Sequence, residues 1–275
     1  MTTTTHITEA AGTSPGPAVE AAARRLLDAR ATGVPCAPVR DLIGTDTDAA
    51  YAVQEALTRT RLAGGARITG RKIGITGPAA QAHFGTDTPD FGMLFADMAV
   101  PDGAEIPAGA VLQPRVEAEI ALVLESDLTH ERHTAADLLR AVAFALPAIE
   151  VIGSRIRDWD ITLTDTVADN ASAGMYVLGN RPVPLGAVDL RRVGMVLERS
   201  GAEVSTGSGA AEPGHPLNVV LWLADALVRA GRPLRAGDAV LTGTLGPAVP
   251  AGPGDALEAR IEGLGDVRVA FATAP

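Results

Sequence analysis

Two glutamates stand two positions apart among apolar residues near the middle of a strand-like run. The run occupies residues 113–124, and side chains in a strand alternate between two faces, so Glu117 and Glu119 share one face. Apolar residues continue that face, and the opposite face is apolar as well. Both faces therefore have the character of buried surfaces, although two acids in one strand are also typical of an ordinary solvated face.

A bound cation would explain two carboxylates on a buried face. Ionised carboxylates at this spacing repel each other, and burial raises that cost. A third acid, Glu150, lies between β-branched residues at 148–152, where a solvated side chain is hard to explain if the strand is central. Glu117, Glu119 and Glu150 together predict a hard divalent metal ion, Mg²⁺ or Mn²⁺, because these ions take oxygen ligands and keep positions open for water or substrate.

The sequence gives little support for a zinc site or for a phosphate-binding P-loop. No histidines have metal-binding spacing, and His130 and His133 lie in a polar stretch where we predict that they are solvated. The chain has no P-loop. A hard divalent ion can chelate a 2-oxo acid through its carboxylate and ketone oxygens and stabilise enolate charge, so this chemistry is the first hypothesis.

Three further stretches could carry chemistry, and each has an ordinary explanation. Lys72 lies in a short strand-like run at 70–75, where spacing alone predicts a surface lysine. Asp90 lies in a turn-rich loop at 86–94, where it could serve a site or only a turn. Residues 164–174 are small and polar, as expected either beside a ligand or in a plain polar loop.

Composition narrows the class of protein. The chain has 275 residues, a net charge of −10 at pH 7, and 47% hydrophobic but only 3% aromatic residues. The negative charge argues against general nucleic-acid binding, and no apolar run approaches the roughly 20 residues of a membrane helix. The single cysteine, Cys36, excludes an intramolecular disulfide. Residues 1–17 lack a signal-peptide pattern, so we predict a disordered leader and a cytoplasmic protein.

Helices and strands alternate along the rest of the chain. The predicted helices are 18–31 with Ser14-Pro15 at its start, 48–62, 78–84, a helix from the capping box at Thr134 to Leu146 before Pro147, and 216–229 after His215. The predicted strands are 113–124, 148–152, 175–178, 194–199 and 240–244, followed by a hairpin of 257–261 with 267–271. Strands therefore dominate after residue 100.

Several motifs resemble those of a known family. The matching stretches are 70–74, 89–94, 114–119, 146–150, 153–159, 165–172, 214–218 and Thr242-Gly243. Together they resemble the 2-keto-4-pentenoate hydratases (2-hydroxypenta-2,4-dienoate hydratases) of the fumarylacetoacetate hydrolase superfamily. The resemblance extends from about residue 18 to residue 271, and residues 1–17 have no counterpart in it.

The resemblance implies an α+β fold, a mixed β-sandwich or roll with a small helical N-terminal region. We divide the chain into the leader at 1–17, an N-terminal α/β region at 18–95 and a C-terminal β-roll catalytic domain at 96–275. The site residues implied are Glu117, Glu119 and Glu150 for the metal, Lys72 and Asp90 for acid–base catalysis, Leu94 as an apolar wall, and Ser172 and Thr242 for the substrate oxygens. A dication and apolar walls should lower the pKa of Lys72.

The resemblance also implies a reaction. A metal-dependent hydro-lyase of this family adds water to 2-hydroxypenta-2,4-dienoate (2-oxopent-4-enoate) and forms 4-hydroxy-2-oxopentanoate in aromatic meta-cleavage catabolism. The hypothesised mechanism converts the dienol to an α,β-unsaturated 2-oxo acid by protonation at C5, after which water adds at C4. The expected partners are the small 2-oxo or 2-hydroxy acid, further copies of the chain in a pentamer-based homo-oligomer, and a downstream aldolase.

Three alternatives stay open. A 4-oxalocrotonate (2-oxo-3-hexenedioate) decarboxylase would use the same metal and a similar substrate, although residues 89–92 and 156–159 look more like the hydratases. An acylpyruvate C–C hydrolase would need a His-Glu pair, for which only His130, Glu131 and His133 are available. A non-catalytic subunit would have little reason to keep the three glutamates together with Lys72 and Asp90.

Overall fold

The computed structural model describes residues 16–211 and 215–273. Its helices are α1 Pro17–Thr32, α2 Arg40–Ile43, α3 Thr47–Ala63, α4 Pro78–Phe84, α5 Ala135–Ala141, α6 Leu163–Ala168 and α7 Pro216–Arg229. Its strands are β1 Ile68–Gly74, β2 Asp90–Phe95, β3 Ala99–Val100, β4 Glu105–Ile106, β5 Arg115–Leu124, β6 Val142–Ile152, β7 Ala173–Leu178, β8 Gly194–Arg199, β9 Ala202–Ser208, β10 Ala239–Thr244, β11 Val249–Pro250, β12 Ala256–Ile261 and β13 Gly265–Phe271. This is the predicted α+β architecture.

The larger sheet has eight strands, and β5 lies near its middle. The strand order is β2-β1-β10-β5-β6-β7-β3, and β11 also pairs with β5. The pairs β1–β10 and β3–β7 are parallel, while the others in this sheet are antiparallel. β5 and β6 pair along their whole lengths, from Arg115 opposite Ile152 to Leu124 opposite Val142. β5 therefore has hydrogen-bonded partners on both edges, and most of its residues are buried.

The smaller sheet packs over the larger one. Its order is β4-β13-β12-β8-β9, and β12 and β13 form the hairpin predicted from the sequence. The largest apolar cluster contains Ile149 of β6, Leu197 of β8 and Val267 of β13, all of them fully buried. One core therefore lies between the two sheets, as expected for a β-sandwich or roll.

A helical layer covers the rest of the large sheet. α1, α3 and α6 share a second apolar cluster that includes Leu26, Val53 and Val167. α7 lies against β10 and β1 and buries its predicted apolar side, including Val219 and Leu223. None of the described helices is long and apolar enough to span a membrane.

The helix boundaries follow ordinary capping rules. α3 begins after Asp46, whose side chain accepts hydrogen bonds from the Asp48 and Ala49 amides. α1 begins at Pro17 after Gly16, so Pro17 belongs to a helix and not to a disordered leader. The predicted cap at Ser14-Pro15 lies outside the described residues, as does the leader up to residue 15.

The prediction that one helix runs from Thr134 to Leu146 is wrong beyond Ala141. The capping box at Thr134 is present, but the chain becomes β6 at Val142 and includes Pro147 in that strand. Proline is tolerated at position 147 because β7 ends at Leu178, the residue opposite Ala148. The N–H group that proline lacks would therefore lie beyond the last paired residues of β6 and β7. Gly179 makes room for the proline ring, since a Cβ at this position would lie 2.6 Å from Pro147 Cγ.

The prediction of a loop at residues 86–94 is wrong for its second half. Residues 90–95 form β2, and all six are buried. The local sequence is rich in turn-forming residues, but pairing with β1 overrides that preference. Because β1 and β2 belong to the same sheet as β5 and β10, the predicted division at 95/96 passes through neighbouring strands of one sheet.

A core substitution tests this placement of β5. Leu122 is fully buried in β5, and we expect Leu122→Ala to lower the free energy of unfolding by about 2–5 kcal/mol through lost contacts and a cavity. Leu139→Ala serves as the control, since Leu139 is 51% exposed and its truncation should change stability little. Urea denaturation measures both variants, and equal losses would contradict the described core.

Candidate metal centre

The register between β5 and β6 brings the three glutamates together. Glu117 lies directly opposite Glu150, and Glu119 follows on the same face of β5. One carboxylate oxygen from each side chain lies within 4.8 Å of the other two. Within residues 16–211 and 215–273, this is the group of three or more His, Cys, Asp or Glu side chains arranged to hold a metal ion.

Several oxygens of this cluster have no hydrogen-bond partner although they are buried. Glu119 and Glu150 are fully buried. Glu119 Oε2 accepts a hydrogen bond from the Gly243 amide at 2.9 Å, while Glu119 Oε1 and both oxygens of Glu150 have no hydrogen-bond partner. Buried acceptors in this condition are costly unless a cation or proton satisfies them. The all-oxygen donor set fits a hard divalent ion such as Mg²⁺ or Mn²⁺.

Burial raises the pKa of each glutamate. Burial is the largest cause, and it raises the pKa of Glu117 to about 7. The pKa of Glu119 is raised well above its ordinary value by burial and by the two neighbouring carboxylates. The pKa of Glu150 is raised by burial, while Lys72 opposes that shift. Without a cation the cluster therefore retains protons, and a bound divalent ion would displace them.

Lys72 lies inside the centre and not on the surface. It is 4% exposed, and its Nζ lies 3.4 Å from Glu150 Oε2. Burial by itself lowers the pKa of Lys72, but Glu150, Asp90 and the other carboxylates raise it further, so the pKa lies above its ordinary value. The surface position predicted from spacing is wrong. The expectation of a lowered pKa is wrong for the protein without a metal ion, because anionic neighbours outweigh desolvation.

Asp90 faces Lys72 across a glycine. Asp90 is the first residue of β2 and pairs with Gly74 of β1, which lies two positions after Lys72 on the same face. A Cβ at Gly74 would lie 2.3 Å from Asp90 Oδ1 and 3.4 Å from Lys72 Nζ, so the missing side chain leaves the space in which both groups converge. Burial raises the pKa of Asp90, and Lys72 opposes that shift. The carboxyl therefore holds a proton more readily than an exposed aspartate.

The three predicted substrate-binding residues, Leu94, Ser172 and Thr242, are all buried. Leu94 is fully buried and shares a face of β2 with Asp90. The Ser172 hydroxyl lies 3.1 Å from Thr166 Oγ1. The Thr242 hydroxyl donates to the Ile120 carbonyl at 3.1 Å, so a hydrogen bond from it to a substrate would require the hydroxyl to turn. Their roles in binding stay predictions.

Two hydrogen-bonding residues, one at the glutamates and one at the strand that carries Asp90, were not recognised in the sequence. The Gly243 amide orients Glu119, and a hint existed because Thr242-Gly243 is one of the matching motifs. Asn170 hydrogen-bonds the backbone of Met93 in β2, and it lies in the 165–172 motif, where only Ser172 received a role. Neither contact has a local sequence signal, because each joins residues more than 70 positions apart.

The side chain of His133 is not exposed to solvent. Its side chain is buried, and Nδ1 lies 2.8 Å from Asp225 Oδ1 of α7. The prediction that His133 is solvated is therefore wrong, while His130 is exposed as predicted. Neither histidine belongs to the acidic cluster, which consists of Glu117, Glu119 and Glu150.

Comparisons with known proteins agree over nearly the whole chain. The family described as fumarylacetoacetate (FAA) hydrolase C-terminal matches residues 69–272, which include the three glutamates, Lys72 and Asp90. The TodF product hydratase of Pseudomonas putida is 58% identical over 258 residues, covering 94% of this chain and 96% of that protein. The 2-keto-4-pentenoate hydratase 2 of Dechloromonas aromatica is 56% identical over 256 residues, covering 93% of this chain and 98% of that protein.

A solved structure shares the fold. The 4-oxalocrotonate decarboxylase from Pseudomonas putida G7, complexed with magnesium and adipate, has a TM-score of 0.88 and 34% sequence identity. The alignment covers 94% of this chain and 99% of that chain. The similarity therefore extends over both sheets and the helical layer.

The acidic cluster predicts an unusual dependence of stability on pH. In metal-free protein the folded state keeps protons that the unfolded state releases between pH 4.5 and about 7, because burial raises the pKa of Glu117. Folding therefore takes up protons in this range, and the free energy of unfolding should fall by roughly 3 kcal/mol between pH 5 and pH 8.

The measurement is chemical denaturation in chelator at these two pH values. Glu117→Gln should make the fall shallower, while Glu125→Gln, at an exposed position just beyond β5, should leave it unchanged. Stability that rises between pH 5 and pH 8 in the unmodified chain would contradict the described burial of the cluster.

Proposed function

The chain belongs to the fumarylacetoacetate hydrolase family, and we propose that it acts there as a 2-keto-4-pentenoate hydratase. This hydro-lyase adds water to 2-hydroxypenta-2,4-dienoate and forms 4-hydroxy-2-oxopentanoate in aromatic catabolism. The observation that carries the proposal is the cluster of three glutamates beside Lys72 and Asp90, in which three oxygens of the buried Glu119 and Glu150 form no hydrogen bond. Identity of 56–58% with two named hydratases supports the reaction.

Glu117, Glu119 and Glu150 are the proposed ligands of Mg²⁺ or Mn²⁺. A divalent metal ion suits the cluster, and the related decarboxylase was solved with magnesium. When bound, such an ion supplies Lewis-acid chemistry, which stabilises negative charge on the oxygens of a 2-oxo acid. The glutamates hold the cation and are not assigned proton transfer.

Proton transfer is assigned to Lys72 and Asp90. The reaction removes the enol proton, delivers a proton to C5, adds water at C4 and places a proton on C3. Asp90 suits these steps because burial raises its pKa, so the carboxyl holds a proton more readily than that of an exposed aspartate. Lys72 provides a buried cation that favours anionic oxygens of the substrate, and its position across Gly74 allows it to share a proton path with Asp90.

The remaining site residues are assigned to binding. Ser172 and Thr242 offer hydroxyls for the substrate carboxylate or its oxygens, and Leu94 offers an apolar wall on the same strand as Asp90. An apolar wall suits the short hydrocarbon end of a C5 dienoate. These roles rest on the family resemblance and on the burial of all three side chains.

The distribution of buried cations favours a hydratase over a decarboxylase. A 2-oxo-3-hexenedioate substrate carries a second carboxylate, which a buried site would have to neutralise. Among the described residues, Arg71 and Lys72 are the buried cations. Arg71 follows Gly70 in β1 and points to the opposite face from Lys72. One buried cation on the site face suits a monocarboxylate.

The other two alternatives have less support. An acylpyruvate hydrolase would need a His-Glu pair at the centre, but His133 is paired with Asp225 and the acidic cluster contains no histidine. A non-catalytic subunit would not need Lys72 and Asp90 converging above Gly74. The pentamer-based homo-oligomer, the downstream aldolase as partner and the cytoplasmic location stay predictions.

A direct assay tests the proposed reaction. Protein loaded with Mn²⁺ or Mg²⁺ should remove the diene absorbance of 2-hydroxypenta-2,4-dienoate, and chelator should stop the reaction. Glu119→Gln should lose Mn²⁺ binding and turnover because one ligand charge is missing, while Glu125→Gln should retain both. No metal-dependent loss of the diene would refute the hydratase, and CO₂ release from 2-oxo-3-hexenedioate would favour the decarboxylase.

A second substitution separates proton transfer from metal binding. Asp90→Asn should lower kcat by about 10²- to 10⁴-fold, because the amide cannot exchange the proton, while the affinity for Mn²⁺ stays close to that of the unmodified chain. Asp87→Asn is the matched control, since Asp87 is exposed three residues earlier. Steady-state kinetics and a Mn²⁺ titration provide the two readouts. An Asp90→Asn variant with undiminished kcat would remove Asp90 from the mechanism.

A further inference from the structure

β2 is an edge strand whose outward backbone groups are buried. Its inner side pairs with β1, and no described strand lies beyond it. Because all six residues of β2 are buried, water cannot readily satisfy the peptide groups on the outer side. Polar side chains from the helical layer satisfy them. Gln54 Nε2, for example, donates to the Phe91 carbonyl at 2.9 Å.

Asn170 satisfies two further groups of this edge at once. Its Oδ1 accepts a hydrogen bond from the Met93 amide at 2.7 Å, and its Nδ2 donates to the Met93 carbonyl at 2.9 Å. The amide thus reproduces the paired bonds that one residue of a neighbouring strand would form. Gly92 allows the close approach, because a Cβ there would lie 2.3 Å from the Asn170 carbonyl oxygen.

The backbone at Asn170 begins a left-handed turn of three residues. The φ angles of Asn170, Ala171 and Ser172 are 57°, 50° and 57°. Residues other than glycine rarely adopt this conformation, so three in succession require support from their surroundings. The Ser172 amide donates to the Asp169 carbonyl at 3.0 Å, and the Ser172 carbonyl accepts from the Gly153 amide at 2.8 Å.

Asn170 therefore joins two parts of the proposed site. β2 carries Asp90, and the left-handed turn carries Ser172. We propose that Asn170 is a positioning residue, which fixes the Ser172 hydroxyl relative to the Asp90 carboxyl by clamping the turn to Met93. This rests on the proposed function, because Asp90 and Ser172 receive their roles there. Asn170 acts through these two residues and not by contact with the reacting atoms.

Two substitutions separate the clamp from the backbone conformation. Asn170→Gly keeps the left-handed turn at lower strain but removes the amide. Asn170→Asp keeps an acceptor for the Met93 amide but sets a carboxylate oxygen against the Met93 carbonyl. Both should lower kcat/KM for the dienoate by about 10²-fold, because small displacements of catalytic groups are costly. Mn²⁺ affinity should not change, since its proposed ligands lie on β5 and β6.

Gln54→Ala is the matched control. It removes another partner of the β2 edge without touching the left-handed turn, so it should lower stability with a much smaller loss of kcat/KM. If Asn170 only stabilised the edge, its variants and Gln54→Ala would lose activity in proportion to their loss of stability. Such proportional losses, or an Asn170→Gly variant as active as the unmodified chain, would overturn the proposal.

Combination with Ser172→Ala tests whether Asn170 acts through Ser172. The affinity of Mn²⁺-loaded protein for oxalate, an unreactive two-oxygen anion, is measured alongside turnover for each single variant and for the double variant. Asn170→Gly should weaken oxalate binding in the unmodified chain but add little in the Ser172→Ala background. Additive losses would show that the two residues act independently and would reject the clamp as a positioning device.

The oxalate measurement also separates this inference from the proposed function. A chain that binds Mn²⁺ and oxalate with the expected coupling, but does not hydrate the dienoate, would refute the hydratase and still support the positioning role. A chain that hydrates the dienoate with no coupling between Asn170 and Ser172 would support the hydratase and reject the positioning role.

Discussion

The repulsion among three closely spaced carboxylates, two of them fully buried, is the constraint on which the rest of the site depends. Glu117 and Glu150 face each other across the central strand pair, and Glu119 lies on the same face, with an oxygen from each within 4.8 Å of the others. A fold can hold such a cluster only if protons, a lysine or a metal ion balance the charge. The protein supplies Lys72 directly, and burial still keeps the pKa values of Glu117 and Glu119 above their ordinary value beside it.

The residues around the cluster are consistent with this need to balance the negative charge. The Gly243 amide satisfies one oxygen of Glu119, whereas Glu119 Oε1 and both oxygens of Glu150 form no hydrogen bond. Lys72 Nζ lies 3.4 Å from Glu150 Oε2, and the other two oxygens suit a further cation. Gly74 leaves space for the Lys72 ammonium and the Asp90 carboxyl to approach each other. In this division of roles, the glutamates would bind the metal, and the lysine and aspartate would exchange protons. The two tasks call for different surroundings, which neighbouring strands of one sheet provide.

The edge strand β2 shows how the fold positions residues on the far side of the site. Asp90 lies on a strand with a partner on one side only, so side chains take over the hydrogen bonds of the absent strand. Gln54 from α3 and Asn170 from the left-handed turn do this, and the turn that Asn170 holds also carries Ser172. The left-handed turn at 170–172 has a conformational cost, and it occurs where it brings Ser172 close to the sheet that carries Asp90.

The sequence by itself determined the features that depend on local periodicity and composition. Alternation along β5 placed Glu117 and Glu119 on one face, capping residues located α3, α4 and the start of α5, and the joined motifs indicated the family. Only the tertiary structure decided the burial of Lys72, the strand at Asp90 and the formation of a strand by residues 142–146, which were predicted to be helical. These outcomes depend on pairing with distant strands, whose free energy exceeds local preference and leaves no mark on the neighbouring residues. The clamp from Asn170 to Met93 likewise spans 77 positions and arises only when β2 becomes an edge.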